Sequence, residues 1–249
     1  MAQPGLVRNV TAEFVGTTLV MLGGPGLIVL GRDINRLEFA IGFGLATAIS
    51  IAVIGAVANP MFSFALWFAR GIRGSDLLSD WLGQFLGALF GALVLFGLND
   101  AHRFVTGVNG WQPGDSVPPG VDLDVHTTGW ANLGTVMGAE LLVCTLIVVV
   151  LLGAIREHPS SGTSAAYVGG AMTLGALFLF PISGAGLNPA SSLAMAIFAD
   201  TDPNALGQVW VFVVVPLLAS FAGLLVWVAI SEVTMDDTLL DETFVDTGE

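Results

Sequence analysis

The stretch ISGAGLNPASSLAMAIF, residues 182–198, decides how this chain must fold. It is apolar enough for a membrane interior, yet Gly184, Gly186 and the pair Asn188-Pro189 interrupt it. Asparagine caps helix N-termini well, because its side-chain oxygen accepts a backbone N–H of the first turn. Proline suits the next position, where its missing N–H costs nothing. Asn188-Pro189 therefore starts a helix instead of breaking one. The apolar run that follows, 188–199, is too short to cross a bilayer: about eleven helical residues reach ~16 Å, half of a ~30 Å hydrocarbon core. A second short apolar segment, 59–69, opens with the same dipeptide, Asn59-Pro60.

The rest of the chain reads as full-length spans. Of 249 residues, 54 % are hydrophobic and 11 % charged, and the mean hydropathy is +0.83. A soluble domain carries roughly 25 % charged residues, so the composition is that of a membrane protein. Apolar runs long enough to cross occur at about 10–30, 37–57, 80–99, 131–154, 164–183 and 207–231. The N-terminal run lacks a cleavage site before it and reads as a retained span. The connection 100–130, with GVNGWQPGDSVPPGVDLD, has the glycines, prolines and aspartates of an exposed loop.

Charge narrows the function classes. The net charge is −13, all seven basic residues are arginine, and seven acids with no base fall in residues 232–249. That segment is expected to be a solvated, disordered cytoplasmic tail. No basic patch exists for nucleic acid. Cys144 is the lone cysteine, and His102, His126 and His158 have no metal-ligand spacing, so neither a disulfide nor a metal or other cofactor is expected.

The two halves repeat. TAEFVGTTLV (11–20) matches GAELLVCTLI (138–147), placing Glu13 and Glu140 127 positions apart. Asn59 and Asn188 stand 129 apart, and LGQ at 82–84 returns 124 positions later at 206–208. Residues 1–99 and 131–231 each carry three spans and one short segment. An odd number of crossings inserts the second half upside down, an inverted repeat whose short helices start from opposite faces and meet near the midplane. With the N-terminus inside, Arg8, Arg70, Arg73 and Arg156 are cytoplasmic against Arg32, Arg36 and Arg103 outside, a small positive-inside excess.

Non-helical backbone at that depth must be buried in protein or line a water-filled cavity. The expected arrangement is a pore in which each asparagine caps its half-helix and points a free amide NH2 at the permeant. The two positive dipole ends, roughly half an elementary charge each, would repel cations and interrupt a proton-conducting water chain. Glu13 and Glu140 are intramembrane carboxylates and so must be functional or paired. Gly83, Gly87 and Gly91 recur on one helix face and suit close helix packing.

With AEFVGTTLV, GQFLGALFGA, GLNPASS and the starts NPM and NPA, the chain resembles the aquaporin and glycerol-facilitator (major intrinsic protein) family over about 10–230. The resemblance implies six transmembrane helices plus two half-spanning helices, an hourglass pore in each subunit and a homotetramer in the cell membrane. It implies central donors at Asn59 and Asn188, half-helix starts at Pro60-Met61 and Pro189-Ala190, and loop support by Glu13 and Glu140. Aligning the half-spans without gaps puts the outer constriction at Phe39, Ala176, Ala185 and Ser191, with Phe43 one turn beyond Phe39. Several positions depart from the family. Met61 stands where alanine is usual, Val57 where many members have histidine, and Ser191 where the constriction usually carries arginine. Ser192 and Phe212-Val213 leave the water and glycerol branches undivided. The expected filter is wide and uncharged, and the expected function is passive flow of water and small neutral solutes such as glycerol. The alternatives are an ion-coupled transporter, which would need titratable groups along its path, and a non-conducting structural protein.

Overall fold

The computed structural model describes residues 5–31, 34–112, 131–157 and 161–231. Every regular element among them is helical: α1 (Leu6–Gly23), α2 (Pro25–Leu30), α3 (Arg36–Ile49), α4 (Pro60–Phe68), α5 (Gly74–Leu98), α6 (Leu133–Glu157), α7 (Ser161–Ser183), α8 (Pro189–Ile197) and α9 (Ala205–Ile230). Six stretches are long and apolar enough to cross a membrane: Leu6–Leu30, Arg36–Ile54, Gly74–Leu98, Leu133–Arg156, Gly162–Ser183 and Ala205–Ile230. The acidic segment 232–249, the connection from 113 to 130, His126 and His158 lie outside the described residues.

Local sequence explains most boundaries. Asn35 opens α3 through a capping box: its side chain accepts from Leu37 N at 2.9 Å, and Glu38 Oε2 accepts from Asn35 N at 2.8 Å. At its far end α3 widens into a π turn, Ser50–Ile54, which Gly55 stops at φ 74°. The first span, expected as one helix, is broken at Gly24, because Pro25 has no N–H to continue the ladder. Pro181 and Pro216 sit inside α7 and α9 without ending them.

Helices pair across the repeat. In the first half α1 packs on α5 and α3; in the second half the corresponding α6 packs on α9 and α7. The half-helices α4 and α8, nine residues each, touch one another at the centre and lodge against both α5 and α9. Glycines set the closest approaches. A Cβ on Gly83 would lie 2.5 Å from Val10 O, one on Gly91 2.6 Å from Met21 Cβ, and one on Gly87 would collide with the Phe14 carbonyl. In the second half Gly223 does the same work against Val148. Gly87→Ala is therefore expected to cost about 2 kcal/mol by overpacking. A lower unfolding temperature in detergent would show it, and an unchanged one would contradict the packing described.

Within the connection expected as an exposed loop, residues 104–112 are partly buried. Phe104 is 1 % and Val108 3 % exposed. Phe104 N donates to Phe198 O at 3.0 Å, and Asp200 N donates to Phe104 O at 2.8 Å. Gly110 N donates to Ser183 O at 3.1 Å. The Gln208 amide clasps Trp111 at both ends, accepting from its N at 2.8 Å and donating to its O at 2.7 Å. Apolar side chains and backbone groups alike find partners here, so residues 104–112 form a strap fastened to α8, α9 and the end of α7.

Candidate functional site

The two Asn-Pro pairs meet at the centre of the bundle. Asn59 Oδ1 accepts from Met61 N at 3.0 Å, and Asn188 Oδ1 accepts from Ala190 N at 3.1 Å and Ser191 N at 3.3 Å. Pro60 and Pro189 are the first residues of α4 and α8, as Pro at N1 allows. The amide nitrogens cross over. Asn59 Nδ2 donates to Leu187 O at 3.0 Å, and Asn188 Nδ2 donates to Ala58 O at 2.8 Å. Each half-helix is thus capped by its own asparagine and held to the other half by the same side chain. Of the NH2 group expected to be free as a donor, one hydrogen is spent on the opposite loop and one is left. Met61 is fully buried in the main core, and its carbonyl accepts from Ser220 Oγ at 2.9 Å.

Each loop that leads into a half-helix takes a left-handed turn at a residue other than glycine, Ala58 at φ 52° and Ala185 at φ 63°. Such conformations cost of order 1–3 kcal/mol and persist only where the surroundings over-determine them. Two carboxylates supply that constraint. Glu13 Oε1 accepts from Val57 N and Oε2 from Ala58 N, both at 2.9 Å. Gln84 Nε2 donates to Glu13 Oε2 at 2.8 Å and to Ser63 Oγ at 2.9 Å. Glu140 Oε1 accepts from Gly186 N at 2.8 Å and from the Ser183 hydroxyl, while Cys144 Sγ lies 3.8 Å from Oε2. Both carboxylates are buried, at 3 % and 0 % exposure, and neither has a basic partner among the described residues. They satisfy backbone that no helix ladder reaches.

Above Asn188 a cavity of about 20 Å3 opens, room for roughly one water. Phe39, Phe43 and Phe180 form its aromatic wall, with Phe39 and Phe180 centroids 5.0 Å apart and Phe39 and Phe43 5.6 Å apart. Ala185, Asn188, Ser191 and Ser192 of the second loop and α8 also line it, as do Pro25 and Asn109. Ser191 is 5 % exposed and its hydroxyl has no hydrogen-bond partner among the described residues. Of the four residues expected at the constriction, Phe39, Ala185 and Ser191 line this cavity and Ala176 does not; it is fully buried, and Phe180 one turn along α7 lines the wall. Phe43 lines it beside Phe39, so both candidates for the first aromatic position are present. Three phenyl rings thus line the cavity where the sequence suggested one aromatic and two alanines.

The reading of the sequence missed Phe180, Pro25 and Asn109. Phe180 stands four residues past Ala176 on one helical face, a spacing that an ungapped alignment cannot discriminate. Asn109-Gly110 was legible only as a turn dipeptide, with nothing local to say what the turn covers.

Residues 1–227 match the family model described as Major intrinsic protein. This chain belongs to the major intrinsic protein family. Similar relatives include Aquaporin Z of Brucella melitensis biotype 1, 27 % identical over 231 residues that cover 89 % of this chain and 97 % of that one. The Aquaporin Z of Photorhabdus laumondii is 26 % identical, covering 88 % and 95 %. The lens fiber major intrinsic protein of Gallus gallus is 34 % identical over 88 % of this chain and 79 % of its own. Among solved structures, the aquaglyceroporin from Plasmodium falciparum superposes with a TM-score of 0.70 at 20 % identity, covering 91 % of this chain and 97 % of that one. The major intrinsic protein fold, six spans and two half-helices, is thus that of this multi-pass membrane chain.

Proposed function

We propose that this protein is a passive membrane channel for water and small neutral solutes such as glycerol, and that it makes and breaks no covalent bonds. The observation that carries the reading is the crossed pair of asparagines. Two half-helices point their positive ends at one spot, and each cap keeps one amide N–H for a passing molecule. A water there donates nothing to either asparagine nitrogen, so it accepts from both sides and cannot relay a proton along a chain. The relatives named Aquaporin Z point the same way.

In this reading Asn59 and Asn188 are the central donors, and Pro60-Met61 and Pro189-Ala190 start the half-helices. Glu13 and Glu140 hold the loops, and Phe39, Phe43, Phe180, Ala185 and Ser191 form the outer constriction. The working assembly is a homotetramer in the cell membrane with both termini cytoplasmic. Proteoliposomes under osmotic shock, followed by light scattering, test the reading. Water and glycerol should each cross faster than in empty vesicles, with no dependence on an imposed pH gradient. No increase for either would sink it, and a requirement for a pH gradient would favour a coupled transporter.

A further inference from the structure

Among the described residues the outer constriction carries no charged side chain, and its backbone is held by a residue far away in sequence. Asn109, half-buried in the strap, donates from Nδ2 to Gly184 O at 2.8 Å and accepts on Oδ1 from Ser192 Oγ, also at 2.8 Å. The carbonyl of Gly184 can only accept, so the amide nitrogen must face it. The amide oxygen then faces Ser192, whose hydroxyl must donate. All three residues line the cavity above Asn188.

The two groups tied together belong to opposite sides of Asn188. Gly184 begins the loop, at φ 80°, and the next residue, Ala185, is the pore-lining residue in the left-handed turn. Ser192 lies on the first turn of α8, directly after Ser191. Fixing Gly184 to Ser192 through one amide sets the gap between loop and half-helix. The strap cannot drift, because Phe104, Gly110 and Trp111 fasten it on either side of Asn109. A Cβ on Gly184 would lie 2.8 Å from Val108 O, so strap and loop are already in contact.

We infer that Asn109 is a positioning residue that sets the size cut-off of the pore, acting through Gly184 and Ser192. It braces the outer aperture of a protein whose constriction has serine where a fixed guanidinium would otherwise stand. Without it the Gly184 carbonyl and the Ser192 hydroxyl turn free, the loop and α8 separate, and longer polyols gain both space and hydrogen-bonding partners.

This inference rests on the channel reading, and the experiment separates the two. Water, glycerol and the four-carbon polyol erythritol are followed in proteoliposomes holding equal amounts of full-length wild type, Asn109→Leu, Ser192→Ala and the double variant. Leucine keeps the branching and heavy-atom count of asparagine without its hydrogen bonds. The erythritol-to-water flux ratio is expected to rise about fivefold in Asn109→Leu, the size of one positioning hydrogen bond. It should rise less in Ser192→Ala, and the double variant should match Asn109→Leu because both act through one amide. An unchanged ratio in Asn109→Leu and Ser192→Ala overturns the proposal, as does a parallel fall of all three fluxes, which marks a purely structural residue. If Asn109→Leu does not fold, the ratio in Ser192→Ala decides alone. Wild-type flux no greater than that of empty vesicles would instead defeat the channel reading itself.

Discussion

Glu140→Ala is expected to destabilise the protein by about 3 kcal/mol and to abolish water flux, while Glu140→Gln retains most of both. The alanine variant abandons the Gly186 N–H and the Ser183 hydroxyl, which otherwise donate to the carboxylate in the interior of the bundle. Each unsatisfied buried group costs about 1–3 kcal/mol, and the space left by the missing atoms adds to that. The loop preceding Asn188 then loses the contact that holds the left-handed Ala185, and the half-helix cap moves with it. Glutamine keeps the acceptor oxygen at the position facing Gly186 and turns its new N–H toward the Cys144 sulfur, a weak acceptor, so its loss should be about 1 kcal/mol. Unfolding midpoints in detergent and osmotic flux in vesicles measure the two effects. The pair of variants separates a scaffold from a proton relay. A glutamine variant that folds normally but no longer conducts would show that the carboxylate does more than accept hydrogen bonds.

Ser191→Arg should reduce glycerol flux at least about tenfold while reducing water flux no more than about threefold, a difference of roughly 0.7 kcal/mol in barrier. The serine hydroxyl faces a cavity with room for roughly one water and has no hydrogen-bond partner among the described residues. An arginine would project over the same space, its charge repelling cations and its bulk filling the room a three-carbon solute needs beside Phe39 and Phe180. Water, the smaller permeant, would keep a path and gain guanidinium donors. Stopped-flow light scattering with the two solutes measures both rates. Equal loss of both fluxes would show that Ser191 does not line the conducting path.

Much of the architecture follows from short-range chemistry that a sequence displays directly. Hydrophobic run length distinguishes six crossings from two half-crossings. An asparagine followed by proline marks a helix start whatever surrounds it. The spacing of Glu13 and Asn59 against Glu140 and Asn188 exposes the duplication, and an odd number of spans per half dictates the inversion. Each of these is a property of neighbours in the chain or of counting.

The constriction was not legible in that way, because it is assembled from six separate places: the Gly24–Pro25 break, α3, the strap, the end of α7, the loop up to Asn188 and the second half-helix. Ala176 and Phe180 share a helix face, and only the depth at which α7 sits against α3 decides which one reaches the cavity. The two amide hydrogens of each asparagine look equally free in sequence. Which one is consumed depends on Leu187 and Ala58, residues of the opposite half. Asn109 reads as a turn residue until the strap lies across the pore mouth and its amide meets Gly184 and Ser192. Composition, run length and caps determined that this chain forms a bundle around two opposed half-helices. Tertiary structure alone decided the aperture, since its width is a distance between segments that no local pattern encodes.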